Sequence, residues 1–259
     1  MTKIVCVANQ KGGVGKSTSA VTIGHGLALR EGQRVLIVDL DPQGHVAFGL
    51  GLDKAPGMHR LIVEQQPLAE VVVKARDNLD AVLSDKSTEG VKRYVTTLNF
   101  RERVLANVLE DSDYDVIFLD TAPSLDVLHV AALVASDWVI IPTKLDALAV
   151  DGVNEILRSL GEITQSGHSV GGYSILPTFF ERTTKETMIQ LKEVATTFGR
   201  QVWPPIPQDT KAREAAAYGK TLLEYSPKSP AVQGYRNNGE QYVGGYAEVI
   251  DRMLEVIRG

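Results

Sequence analysis

The chain has 259 residues, a formal net charge of −5, 44% hydrophobic and 23% charged residues, a balance ordinary for a soluble globular protein. No apolar run approaches the ~20 residues of a membrane span, and the net acidity excludes a uniformly basic nucleic-acid binder. The one cysteine, Cys6, excludes an internal disulfide and any zinc or iron–sulfur site built from several thiolates.

In chain order, apolar β-branched runs alternate with segments of helical period, which predicts parallel strands joined by crossover helices. The expected fold is a single α/β domain over 1–259, doubly wound around a mostly parallel sheet, a length such folds reach undivided. Met1-Thr2-Lys3 leads directly into the first strand, leaving no room for a signal peptide, so a cytosolic protein is expected. Strands are expected at about 3–9, 34–39, 79–83, 115–120, 137–142, 172–177 and 201–203. Helices are expected at 17–30, where Gly32 supplies a stop, and at 98–110, 151–165, 185–198 and 246–258. Trp203-Pro204-Pro205 and Pro207 interrupt regular structure and mark a loop, and 234–241 reads as a polar surface loop.

The strand Ile4-Val5-Cys6-Val7-Ala8 runs into Lys11-Gly12-Gly13-Val14-Gly15-Lys16-Ser17-Thr18 and then into a helix. Glycines there let backbone N–H groups turn inward around phosphate oxygens, and the helix N-terminus adds its partial positive charge. Lys16 is placed as a point charge on the outer phosphates and the Ser17 hydroxyl as a Mg2+ ligand. The usual pattern needs glycine where Gln10 stands, so this is the deviant form of the phosphate loop, with the additional Lys11 ahead of it. Asp120 ends the apolar strand Val116-Ile117-Phe118-Leu119. Asp39 and Asp41 stand two apart at the end of another, a spacing that in extended chain directs both to one side.

The segment Ala8–Thr18, followed by Val38-Asp39-Leu40-Asp41-Pro42-Gln43-Gly44 and by Asp120-Thr121-Ala122-Pro123-Ser124, resembles the ParA-type partition ATPases, relatives of MinD and of the nitrogenase iron protein. The resemblance extends to about Ser229. It implies a P-loop ATPase in which Gly12, Gly13, Val14, Gly15, Lys16, Ser17 and Thr18 hold ATP, and Ser17 and Asp120 hold Mg2+. Asp39 is then expected to support the metal and the switch region, and Asp41 to orient the attacking water. Lys11 is expected to reach the partner's nucleotide in an ATP-dependent homodimer, and Pro205, Ile206 and Pro207 to contact the base. Two positions depart from the family pattern: Ala122 replaces the first of two prolines, and His45 stands where many relatives carry asparagine.

Between Glu181 and Arg236 nine Lys/Arg face six Asp/Glu, a local excess that reads equally as a solvated face or as a functional patch. The resemblance implies that the ATP-bound dimer holds nonspecific double-stranded DNA, with Arg182, Lys185, Lys211 and Arg213 as the contacts, and that a ParB-like or other partner activates slow hydrolysis. The implied role is segregation or positioning of DNA or another cargo in the cytoplasm, at the nucleoid. A MinD-like or scaffold-bound switch is the alternative. The final helix has three acidic residues and two arginines over 248–258, which suits packing on the body better than anionic lipid.

Overall fold

A computed structural model describes residues 2–237 and 241–259. Seven strands, β1 (Lys3–Val7), β2 (Val35–Asp39), β3 (Val73–Arg76), β4 (Leu79–Val82), β5 (Val116–Asp120), β6 (Trp138–Lys144) and β7 (Gly172–Thr178), form one sheet in the order β3-β4-β2-β5-β1-β6-β7. Every pairing is parallel except β3 with β4. Strands covered on both faces read as continuous apolar runs, as VLIVD of β2 and VIFLD of β5 do, all of whose residues are buried.

The alternating pleat divides those side chains between two cores. On one face Val5, Val7, Val35, Ile37 and Phe118 pack with Ile23 and Leu27 of helix Lys16–Glu31 and with Val249, Ile250 and Met253 of helix Gly245–Arg258. On the other, Cys6, Leu36, Val38, Ile117 and Leu119 meet Leu128 and Ala132 of helix Val127–Ala135 and Val153 and Ile156 of helix Ala149–Gln165. Each fully buried aliphatic or aromatic side chain of this kind contributes about 1.5–3 kcal/mol. β5 and β6 are consecutive yet flank β1 on opposite sides, and that reversal opens a crevice at the carboxyl end of β1.

Four expectations are corrected. Residues 201–203 are not a strand: Gly199–Gln201 is a 3₁₀ turn and Val202 makes a single bridge to Ile175, because Pro204 and Pro205 have no N–H with which to continue a ladder. The edge strand β3 was not foreseen; its VKAR sequence is charged, partly exposed and irregularly paired, as a short protected edge is. The helix expected at 98–110 shrinks to Val104–Leu109 after a 3₁₀ turn at Arg101–Arg103, since Phe100 takes the left-handed conformation with φ 54°. The stretch 234–241 is not simply a loop: β8 (Tyr235–Asn237) pairs antiparallel with β9 (Gln241–Val243), and the rest of it, 238–240, lies outside the described residues.

Candidate active site

Between β1 and helix Lys16–Glu31 the chain turns through Gly13 and Gly15, with φ of 71° and 92°, a region that side-chain-bearing residues rarely enter. Buried Asn9 fixes the turn from below: its Nδ2 donates to the Pro142 carbonyl at 2.8 Å and its Oδ1 accepts from the Lys11 N–H at 2.9 Å. The Thr178 hydroxyl donates to the Val14 carbonyl at 3.0 Å, tying the same turn to β7. The loop is thereby held to the carboxyl ends of β6 and β7 before any ligand arrives.

The loop forms one wall of a cleft of about 780 Å³. Gly12, Gly13, Gly15, Lys16, Ser17 and Thr18 line it together with Asp41, Pro123, Ile206 and Pro207. Five residues expected at ATP or its metal do not line it: Lys11, Val14, Asp39, Asp120 and Pro205. Val14 is buried with its carbonyl taken by Thr178, and Pro205 is turned so that its carbonyl accepts from Gly245 N–H at 3.0 Å. The lining also includes Thr178 and Phe179, from the segment 178–183 that the family resemblance aligns near the base loop, and Lys144, Lys220 and Tyr246, which the sequence did not assign to the ligand. Lys144 ends β6, so the rule that ligands sit beyond the carboxyl ends of parallel strands was the one signal that could have found it.

Lys16 is 7% exposed and its ammonium donates to the Lys11 carbonyl at 3.0 Å. Burial holds its pKa below the usual value, while the Asp120 and Asp41 carboxylates push the other way. Asp120 is fully buried, and neither of its oxygens has a hydrogen-bond partner. Burial pushes its carboxyl up to about 7, against the opposing pull of the neighbouring Ser17 hydroxyl and Lys16 ammonium. An orphaned buried carboxylate is costly, so Asp120 is held by the fold in a position that a cation would relieve.

Asp39 is the register partner of Asp120 across β2 and β5. Its two oxygens accept from the backbone N–H of Asp41 at 3.0 Å and of Val46 at 3.1 Å, so this carboxylate closes the turn that follows the strand. Burial first, and the Asp120 charge second, hold its pKa well above the ordinary value. Asp41 differs: the strand has ended at Asp39, the two-residue alternation no longer applies, and Asp41 faces the cleft while Asp39 does not. Its Oδ1 accepts from Gln43 N–H at 2.8 Å, and its Oδ2 lies 3.8 Å from His45 Nδ1.

Lys11 does not line the cleft. Its ammonium donates to the Leu148 carbonyl and stands 3.5 Å from Asp146, and its methylenes cover Gly152, where an added Cβ would be 3.3 Å from Lys11 Cε.

Several known proteins resemble the chain. The family described as "AAA domain" is matched over residues 2–170. The chromosome-partitioning ATPase Soj of Thermus thermophilus is 33% identical over 94% of this chain and 96% of its own length. The chain belongs to the ParA/Soj family of partition ATPases. The chromosome partitioning protein ParA of Caulobacter vibrioides is 30% identical over 90% of this chain and 91% of its own. Among solved structures, the cobyrinic acid a,c-diamide synthase of Mycobacterium smegmatis with bound ATP analog and magnesium is 31% identical, covers 84% of this chain and 93% of its own, and superposes with a TM-score of 0.73.

The four expected DNA contacts of this ParA/Soj chain fall in different settings. Lys211 opens helix Lys211–Ala217, pairs with Glu214 at 2.7 Å and lies 5.8 Å over the Tyr225 ring, so much of its charge is answered within the chain. Arg213 is exposed and stands at the cleft wall. Lys185 begins helix Lys185–Phe198 and is exposed. Arg182 is exposed and packs on Tyr235 of the β8–β9 ribbon.

Proposed function

We propose that this chain binds ATP with Mg2+ in the cleft, hydrolyses it slowly, and in the ATP-bound state forms a homodimer that holds duplex DNA without reading its sequence, so as to segregate or position DNA or another cargo. The observation that carries the nucleotide reading is the glycine-lined loop with the buried, partnerless Asp120 beside Lys16 and Ser17.

The residues fit a magnesium ion. Among the described residues no three His, Cys, Asp or Glu side chains converge as a cluster, which suits a cation that takes one or two protein oxygens and fills the rest with phosphate and water. Ser17 and Asp120 would hold it, and when bound it neutralises charge on the outer phosphates. Lys16 exchanges the Lys11 carbonyl for a phosphate oxygen at little cost, since its ammonium is already buried and directed at the loop. Asp41 accepts a hydrogen bond from the water whose oxygen attacks the γ-phosphorus as the bond to the β,γ-bridging oxygen breaks, giving ADP and phosphate. Asp39 acts one step back, by closing the turn that presents Asp41. Lys11, directed out of its own cleft, would exchange Asp146 and the Leu148 carbonyl for a second subunit's nucleotide, which makes dimerisation ligand-linked.

The MinD-like alternative has less support. Helix Gly245–Arg258 buries Tyr246, Val249, Ile250, Met253 and Leu254 against the body, so its apolar face is already used. Among the described residues no helix is long and apolar enough to cross a membrane.

The test is binding to mixed-sequence duplex DNA with ATP, ADP or no nucleotide across a salt series, beside Asp41→Ala. ATP-dependent, salt-sensitive binding that persists in a variant without turnover is expected. Hydrolysis unchanged in Asp41→Ala discards its role, and wild-type protein that hydrolyses ATP yet never binds DNA moves the reading to a protein-scaffold switch.

A further inference from the structure

The β8–β9 ribbon carries a set of side chains that the nucleotide site does not use. The Arg182 guanidinium lies 5.6 Å over the Tyr235 ring and donates to the Arg236 carbonyl at 3.0 Å. The Arg236 guanidinium lies 5.2 Å over the Tyr242 ring and donates through Nε to its hydroxyl at 3.1 Å. Tyr235 is fixed in turn, packing edge-on against Phe180 at 6.0 Å and donating to the Phe180 carbonyl at 3.4 Å.

Both arginines and Tyr242 are exposed. Among the described residues neither arginine is in an ion pair, whereas Lys211 is paired with Glu214. A guanidinium has five N–H donors in a planar fork, and these hydrogen bonds use one on each. The stacked rings fix the orientation of each fork, so less rotamer freedom is lost when an anion is bound.

The ribbon is also attached to the cleft. Its base rests on Pro205: Gly244 allows an approach in which a Cβ would be 2.4 Å from the Pro205 carbonyl, and Gly245 N–H donates to the same oxygen at 3.0 Å. Phe180 exchanges backbone hydrogen bonds with the base loop, donating to Ile206 at 3.0 Å and accepting from Gln208 at 2.9 Å. A ligand against Ile206 and Pro207 therefore acts on the segment that positions both arginines.

We infer that the β8–β9 ribbon is a DNA-contacting arm in which Arg236, together with Arg182, binds phosphates of the duplex backbone. The inference rests on the DNA-binding reading above and adds a contact to it. Arginine forks pre-oriented in this way, with no ion pair among the described residues, match phosphate oxygens bidentately, and contacts of this kind position a protein on DNA without reading bases.

The experiment uses the full chain with a non-hydrolysable ATP analogue and a fluorescent mixed-sequence duplex, comparing wild type, Arg236→Gln and Arg236→Lys over a salt series. Nucleotide affinity measured in parallel shows that each variant is folded. Loss of one phosphate contact lowers the slope of log K against log salt by about 0.9 and affinity by roughly 5–10-fold near 0.1 M salt. That result is expected for Arg236→Gln, with the slope restored in Arg236→Lys. Wild-type affinity and slope in Arg236→Gln overturn the inference and leave DNA binding intact, as does reduced affinity with an unchanged slope, which marks a structural effect. Wild-type protein that binds no duplex in any nucleotide state overturns the DNA reading itself, and the arm with it. Should Arg236→Gln fail to bind nucleotide, Arg182→Gln is read by the same criteria.

Discussion

His129 offers a direct test of the packing of helix Val127–Ala135. It lies in helix Val127–Ala135, whose first N–H groups are capped by Asp126, and it is 2% exposed with both ring nitrogens buried and without partners. Burial pulls its pKa down from 6.5 to about 4, with Asp126 acting the opposite way and Lys16 adding to the depression. A base whose folded pKa lies below its unfolded one gives stability that is complete above the unfolded value and is lost as pH falls through the folded value. Between about pH 7.5 and pH 5 the linkage amounts to about 2 kcal/mol, rising to about 3 kcal/mol once the pH is below 4. His129→Leu removes the titrating group at comparable volume and also removes two unsatisfied polar atoms, so it should stabilise the chain at neutral pH by about 1 kcal/mol or more. Urea unfolding of both proteins at the two pH values isolates the effect, because the other titrating groups cancel in the difference. Wild type should lose about 2 kcal/mol more than the variant on acidification; equal losses would refute the assignment of a neutral, partnerless imidazole.

Lys11→Ala should abolish ATP-dependent dimerisation in light scattering while leaving ATP binding to the single chain intact, and a variant that still dimerises removes the cross-subunit role. Asp120→Asn should end turnover and the thermal stabilisation gained from Mg2+ with ATP; because burial raises the Asp120 pKa, its charged form burdens the fold above that pKa, so the ligand-free variant should unfold at higher urea than wild type near pH 8. At Gly26 an added Cβ would sit 2.2 Å from Ile250 Cδ1, and Gly26→Ala should cost about 1–3 kcal/mol through overpacking between the first and last helices. Ile250→Val removes that methyl, so the double variant should recover part of the loss, and strictly additive melts would place the clash elsewhere.

Features that depend on neighbours along the chain are written in the order of its residues. The run from Ile4 to Thr18 identified a strand, a glycine turn and a helix because those glycines, that lysine and that hydroxyl have one common use, and Asp120 at the end of an apolar strand could be placed beside it from order alone. Helices such as Lys185–Phe198 and Gly245–Arg258 were legible from a 3.6-residue period that needs no partner to be seen. Features that depend on chain distant in sequence come only with folding. Val202 was drawn into a bridge by Ile175, and VKAR became a strand only because β4 was there to pair with it. Asp39 and Asp41 took different positions because the strand ended between them, Lys11 found Asp146 and the Leu148 carbonyl more than a hundred residues away, and Lys211 found Glu214 while Arg182 found Tyr235. Local pattern fixes where an element begins and which way its side chains alternate, but the partner of a charge is a property of folded distance, and in this chain that distance separates a buried cleft lysine, a turn-closing aspartate and an exposed arginine that look equally polar in the sequence.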